Sequence, residues 1–124
     1  MKILSNVIQF LIFGLMAFSA TGKMTMTAQV VDGFRKFGIP ENLIRPIGIM
    51  EIIAVIVYVV PTRVQFLGAI LMTGYLGGAI MTHLRVGEAP LMQEFLAILV
   101  WVGYFLKHPE IARSIYSGNA KNGA

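Results

Sequence analysis

Glu51 stands alone in an apolar run, Ile47-Gly48-Ile49-Met50-Glu51-Ile52-Ile53-Ala54-Val55-Ile56-Val57-Tyr58-Val59-Val60, with no second charge to balance it. A run of this kind reads as a membrane span, where an ionisable side chain costs about 3 kcal/mol and marks a functional site by default. No cation falls in its layer, so desolvation is expected to leave the carboxyl neutral and able to donate to a carbonyl oxygen or to relay a proton. The competing reading is a helix lock, with Glu51 hydrogen-bonded to Gln9 or a tyrosine.

Helix rise, about 1.5 Å per residue, allows depths to be compared between spans. From the face bearing the termini, Glu51 and Thr73 lie about 13 Å deep, Gln9 about 9 Å and Trp101 about 10 Å, so the four share a layer. Glu51 shares a helical stripe with Ile44, Gly48, Val55 and Tyr58, Gln9 with Asn6, Phe13 and Met16, and Glu94 with Ala97 and Trp101. Stripes that carry polar groups are expected to face inward, because lipid offers them no partner. The enclosed space would then be an apolar pocket with few polar atoms, for which the ligand-binding candidates are Gln9, Phe13, Met16, Thr73, Tyr75 and Trp101.

In the other half, Arg45 and Glu94 lie at a common depth of about 22 Å and are expected to form a structural ion pair. Pro46 removes a backbone donor and predicts a kink in the second span. His83, about 28 Å along, is a second catalytic candidate, although a histidine at a helix end is more often a cap, and its depth excludes a direct contact with Glu51 in unbroken helices. Gly74 and Gly78 form a small-xxx-small pair suited to packing within the bundle or to a homodimer contact.

These residues must be positioned by helices. Of 124 residues, 13% are charged, against about 25% for a soluble domain, so the surrounding medium is membrane lipid. The net charge of +4 comes from single basic residues at the ends of apolar runs, a placement that suits interfacial anchors and excludes a nucleic-acid face. Spans are expected over Ile3 to Gly22, Leu43 to Val60, Val64 to His83 and Pro90 to Leu106. A secretory leader is the rival reading of the first. Pro61-Thr62-Arg63 joins the second and third spans as a hairpin. Between the first two, Thr27 to Phe37 places Val30, Val31, Phe34 and Phe37 on one face, a short interfacial amphipathic helix ended by Gly38-Ile39-Pro40. The fold class is therefore all-α: an integral membrane four-helix bundle over residues 1–109, followed by a polar C-terminal tail, 110–124, that frays beyond Ser117. Lys and Arg divide evenly between the two faces, five on each, and cytoplasmic termini are only a weak preference.

The absence of cysteine excludes thiol relays, iron–sulfur clusters and thiolate zinc sites within this chain. The only histidines, His83 and His108, lie on opposite faces about 25 Å or more apart, which excludes bis-histidine haem and a His-rich metal site in one subunit.

Taken in order, Phe34-Arg35-Lys36-Phe37-Gly38-Ile39-Pro40, Ile47-Gly48-Ile49-Met50-Glu51, Pro61, Met81-Thr82-His83-Leu84-Arg85 and Lys107-His108-Pro109 resemble the DoxX-like family of small bacterial four-helix membrane proteins. The resemblance runs from Lys2 to Pro109 and matches Glu51 and His83 to the polar landmarks of that family. It implies a multi-pass protein of the bacterial inner membrane that serves as a subunit of a quinone-linked or related redox system, with a quinone as cofactor and a redox partner subunit. The alternative is a non-catalytic scaffold or hydrophobic-ligand-binding module for another membrane protein.

Overall fold

The first helix, α1 (Lys2–Thr25), turns Ser5, Gln9, Ile12, Met16, Ala20 and Lys23 inward at intervals of three and four residues. Ile3, Phe10 and Phe18 on its other side are almost fully exposed, an apolar exterior that only lipid can cover. In this computed structural model, which describes residues 2–60 and 63–122 and only the backbone of 118–122, five further helices follow. These are α2 (Ala28–Lys36), α3 (Ile44–Val59), α4 (Gln65–Arg85), α5 (Leu91–Lys107) and α6 (Pro109–Asn122). Pro61, expected to close the second span, lies outside the described residues.

Helices α1 and α4, and α3 together with the 3-10 turn that leads into it (Glu41–Val59), are long and apolar enough to cross a membrane. With 17 residues, α5 is at the short end of the spanning range. Helix α1 packs on α3, α3 on α4, α4 on α5 and α5 back on α1, which closes a ring of four around Ile12, Met72, Leu76 and Val100. The expected membrane four-helix bundle is therefore present. Two of its buried hydroxyls find backbone partners: the Ser5 hydroxyl donates to the Gly103 carbonyl at 2.8 Å, and the Tyr58 hydroxyl to the Val100 carbonyl at 2.6 Å.

Three expectations need correction. Pro46 does not break α3: the helix begins at Ile44, so the proline ring sits in the first turn, where backbone N–H groups have no intrahelical acceptor to lose. The C-terminal segment is helical to Asn122 and, at Pro109, turns 93° from α5. Pro109 suits a first helical position, and Ile111 and Ala112 are half-buried at the elbow, so the segment has an anchor that polarity alone did not reveal. Finally, the inward stripe of α5 is Leu96, Val100, Gly103 and Tyr104, leaving Glu94 exposed.

The hairpin end of the bundle is its tightest part. A Cβ at Gly68 of α4 would overlap the Tyr58 backbone and stand 2.6 Å from the Val57 carbonyl carbon. Gly68→Ala should therefore destabilise the bundle by about 3 kcal/mol or more through backbone displacement. At Gly77, where an added Cβ meets nothing within 4 Å, the same change should be neutral or stabilising by up to about 1 kcal/mol. Unfolding of the two variants in detergent checks the contrast; equal midpoints would refute the close approach.

Candidate functional site

The last turn of α1 carries the group that organises the interior. Past Thr25 the chain enters the left-handed region at Met26 (φ 55°), and the Thr27 N–H returns to the Gly22 carbonyl at 3.3 Å. Lys23 is thus inside the helix. Its stem lies over Gly48 of α3, where an added Cβ would be 3.0 Å from the Lys23 Cβ. The ammonium reaches one turn further and donates to Glu51 Oε2 at 2.8 Å, while Ser19 Oγ accepts a second N–H at 2.6 Å. Both partners are buried, with side chains 10% and 1% exposed. The Tyr75 hydroxyl lies beside the same carboxylate.

The expectation that no cation shares the layer of Glu51 is therefore overturned. A first span ended at Gly22 puts Lys23 among the basic anchors of the far surface, whereas α1 runs on to Thr25 and carries it inward. A lysine can extend its head well away from its Cα along an apolar wall, and here it extends inward because the glycine opposite leaves room for its stem.

The pair forms part of the wall of a cavity of 420 Å³, within the range of small-molecule sites. Met16, Ile47, Met50, Leu76 and Leu96 supply apolar wall, and Ser19, Lys23, Glu51, Tyr75, Thr82, His83 and Gln93 supply polar atoms. Phe34, Phe37 and Ile39, from α2 and the turn after it, also line it. The predicted amphipathic helix is present, with Thr27 Oγ1 capping the Val30 N–H at 3.3 Å and Gly38 at φ 75° ending it. The Ile39 N–H bonds to the Phe34 carbonyl and the Gly38 N–H to the Arg35 carbonyl, each at 3.0 Å, which folds Ile39 back toward the cavity.

The roof is tied to α4 and to the turn beyond it. The Phe37 ring packs on His83 with centroids 4.7 Å apart, Arg85 donates to the Phe37 carbonyl, and Lys36 pairs with Glu88. His83 Nδ1 bonds to the Ala79 carbonyl at 2.7 Å, and since a carbonyl only accepts, Nδ1 donates there and Nε2 faces Gln93.

The sequence-derived candidates divide between two regions. Glu51, Met16, Tyr75 and His83 meet at the cavity, so the two catalytic candidates share a space without a direct bond. Gln9 is buried toward the opposite end, where Lys107 donates to it at 3.4 Å. Phe13 is 39% exposed, and Asn6 is exposed as well. Trp101 donates to Thr73 Oγ1 at 2.8 Å, and neither lines the cavity. Arg45 and Glu94 are both exposed and, among the described residues, form no ion pair; Arg45 donates to the Met24 carbonyl at 3.3 Å. Equal depth had paired them, but depth carries no information about facing. Gly74 and Gly78 line the cavity beside open space and are not packing contacts within the bundle. Sequence reading missed Lys23, Ser19 and Gln93; a lysine and a serine one turn apart near the end of a span are the detectable signal.

Removing one member of the buried pair leaves the other uncompensated. Lys23→Met or Glu51→Leu alone should each cost about 3–5 kcal/mol, and the double variant far less, in a thermal-unfolding cycle; additive losses would show that the pair is not coupled. A second test concerns the roof. The Lys36 ammonium holds the Glu88 carboxyl below its ordinary range, so the contribution of the pair is complete at neutral pH and is lost as pH falls past the ordinary glutamate value and through the lowered one. Acidification across that window should lower hydrogen-exchange protection, relative to the intrinsic rate at each pH, at residues 34–39, and Glu88→Gln should give the low protection already at neutral pH.

No curated protein and no solved structure matches the chain. The sequence model of the DoxX-like family matches residues 7–104, a stretch that starts in α1, ends in α5 and contains every residue lining the cavity. With most of its length so matched, this membrane-spanning chain belongs to the DoxX-like family.

Proposed function

We propose that the chain is the membrane subunit of a quinone-linked or related redox system and binds a small, mostly apolar molecule in the bundle cavity. The observation that carries this reading is the Lys23–Glu51 pair, which joins the wall of a roofed apolar space instead of packing against side chains alone. An ammonium has three donors, and two are used on Glu51 and Ser19. The third suits an oxygen acceptor on a ligand, while Met16, Leu76 and Leu96 suit its ring.

A quinone fits that donor set, having carbonyl oxygens that only accept and a flat apolar body; when bound it supplies coupled electron and proton transfer. Lys23 holds and orients an oxygen. Glu51 fixes the ammonium through Oε2 and offers Oε1 as a proton acceptor, and the aromatic roof excludes water. Since the chain has no cysteine, any thiol step belongs to a partner subunit. Burial of Lys23 also breaks the tie in loop charge: Arg35, Lys36, Arg45 and Arg85 remain on the roof side against Lys2, Arg63, Lys107, Arg113 and Lys121 on the other. That excess favours a bacterial inner-membrane orientation with cytoplasmic termini. A non-catalytic ligand-binding module is the second reading, favoured by the internal neutrality of the pair.

Native mass spectrometry of the purified protein should show a co-purified quinone or similar apolar molecule. The variant carrying both Lys23→Met and Glu51→Gln should keep the fold and lose at least about tenfold in affinity for a benzoquinone probe, about 1.4 kcal/mol. Glu51→Gln alone is a poor test, because it strands the ammonium. Unchanged affinity in the folded double variant would overturn the reading.

A further inference from the structure

The side of the cavity toward α3 and α4 differs from its roof. These two helices are in backbone contact at Gly68, yet further along α4 a Cβ added at Gly74 or Gly78 would meet nothing within 4 Å. Gly74, Gly78 and Met50 line the cavity, and all three are also exposed, Met50 to 60%. At these residues the cavity wall is at the same time the outer surface. Gly74 and Gly78 stand about 13 and about 20 Å along a helix about 30 Å long, a depth inside the hydrocarbon layer. At the aqueous end, by contrast, Phe34, Phe37 and Ile39 cover the opening and three contacts tie them down, Phe37–His83, Arg85 to the Phe37 carbonyl and Lys36–Glu88.

Resting on the binding role argued above, we infer that the ligand is a tailed amphiphile: its polar head sits at Lys23, Glu51 and Tyr75, and its hydrocarbon tail leaves into the bilayer between α3 and α4, past Met50, Gly74 and Gly78. Three features select this class. The paired charges of Lys23 and Glu51 cancel, which favours a neutral head over an ion. The opening faces hydrocarbon, so a tail loses no hydration by extending through it. A ligand delivered from water would need to displace the tied aromatic roof, whereas one dissolved in lipid meets bare helix backbone. The two glycines are thus portal residues, whose absent side chains supply the width a tail occupies.

The test compares a decyl-substituted benzoquinone with its methyl-substituted counterpart, each titrated against the full chain in nanodiscs. Both should bind the parent, the decyl compound more tightly. Gly78→Leu, which fills the opening but not the head site, should weaken the decyl probe at least tenfold and the methyl probe less than twofold. Gly77→Leu, one position off the cavity lining, should leave both unchanged, and thermal unfolding verifies that the variants are folded. Equal weakening of both probes by Gly78→Leu, or weakening of neither, overturns the portal while leaving the binding role intact. Failure of both probes to bind the folded parent overturns the binding role and, with it, the tailed ligand.

Discussion

A buried carboxylate in a membrane bundle must be neutralised, and here a lysine from the neighbouring helix does so. The requirement propagates outward. For Lys23 to reach Glu51 at 2.8 Å, α1 must continue past Gly22, Gly48 must lack a side chain, and the two helices must cross with the lysine stem lying over that glycine. An ion pair in a low-dielectric interior is a weak source of stability, since desolvation offsets much of the attraction. Its consequence is specificity, because any register of α1 against α3 that separates the two charges leaves both stranded in lipid.

The cavity follows from how the remaining helices meet this fixed pair. At the hairpin end, α4 is pressed against the backbone of α3 through Gly68, and Tyr58 is bonded to the Val100 carbonyl of α5. At the other end the Lys23 stem lies over Gly48, and Gly74 and Gly78 line the cavity without a side chain to fill it. Glycine thus has opposite effects at two ends of one helix: close approach at Gly68 and open space at Gly74 and Gly78. The sequence context alone does not distinguish these cases.

The roof is assembled differently from the core. None of its residues is fully buried, and its attachments are a ring contact and charged groups at the surface. Elements held by few buried apolar contacts open at low free-energy cost, which makes α2 the part of the molecule best suited to move while the ring of four long helices stays closed. Its tie to Glu88 is screened by salt, unlike the buried pair beneath it.

The spans, the amphipathic α2 with Val30, Val31, Phe34 and Phe37 on one side, its stop at Gly38, and the inward stripe of Glu51 with Ile44, Gly48, Val55 and Tyr58 were all legible in the sequence, because hydropathy and helical period are local properties of the chain. Glu51 was legible for the same reason: a charge in an apolar run is conspicuous whatever surrounds it. Its partner was not. Which helix faces which, the reach of Lys23 across Gly48, the exposure of Phe13 and the separation of Arg45 from Glu94 depend on rotations about helix axes that depth and spacing do not determine. Only the closed ring of helices decides them, since inter-helix packing and the need to neutralise one buried charge act between residues far apart in the chain.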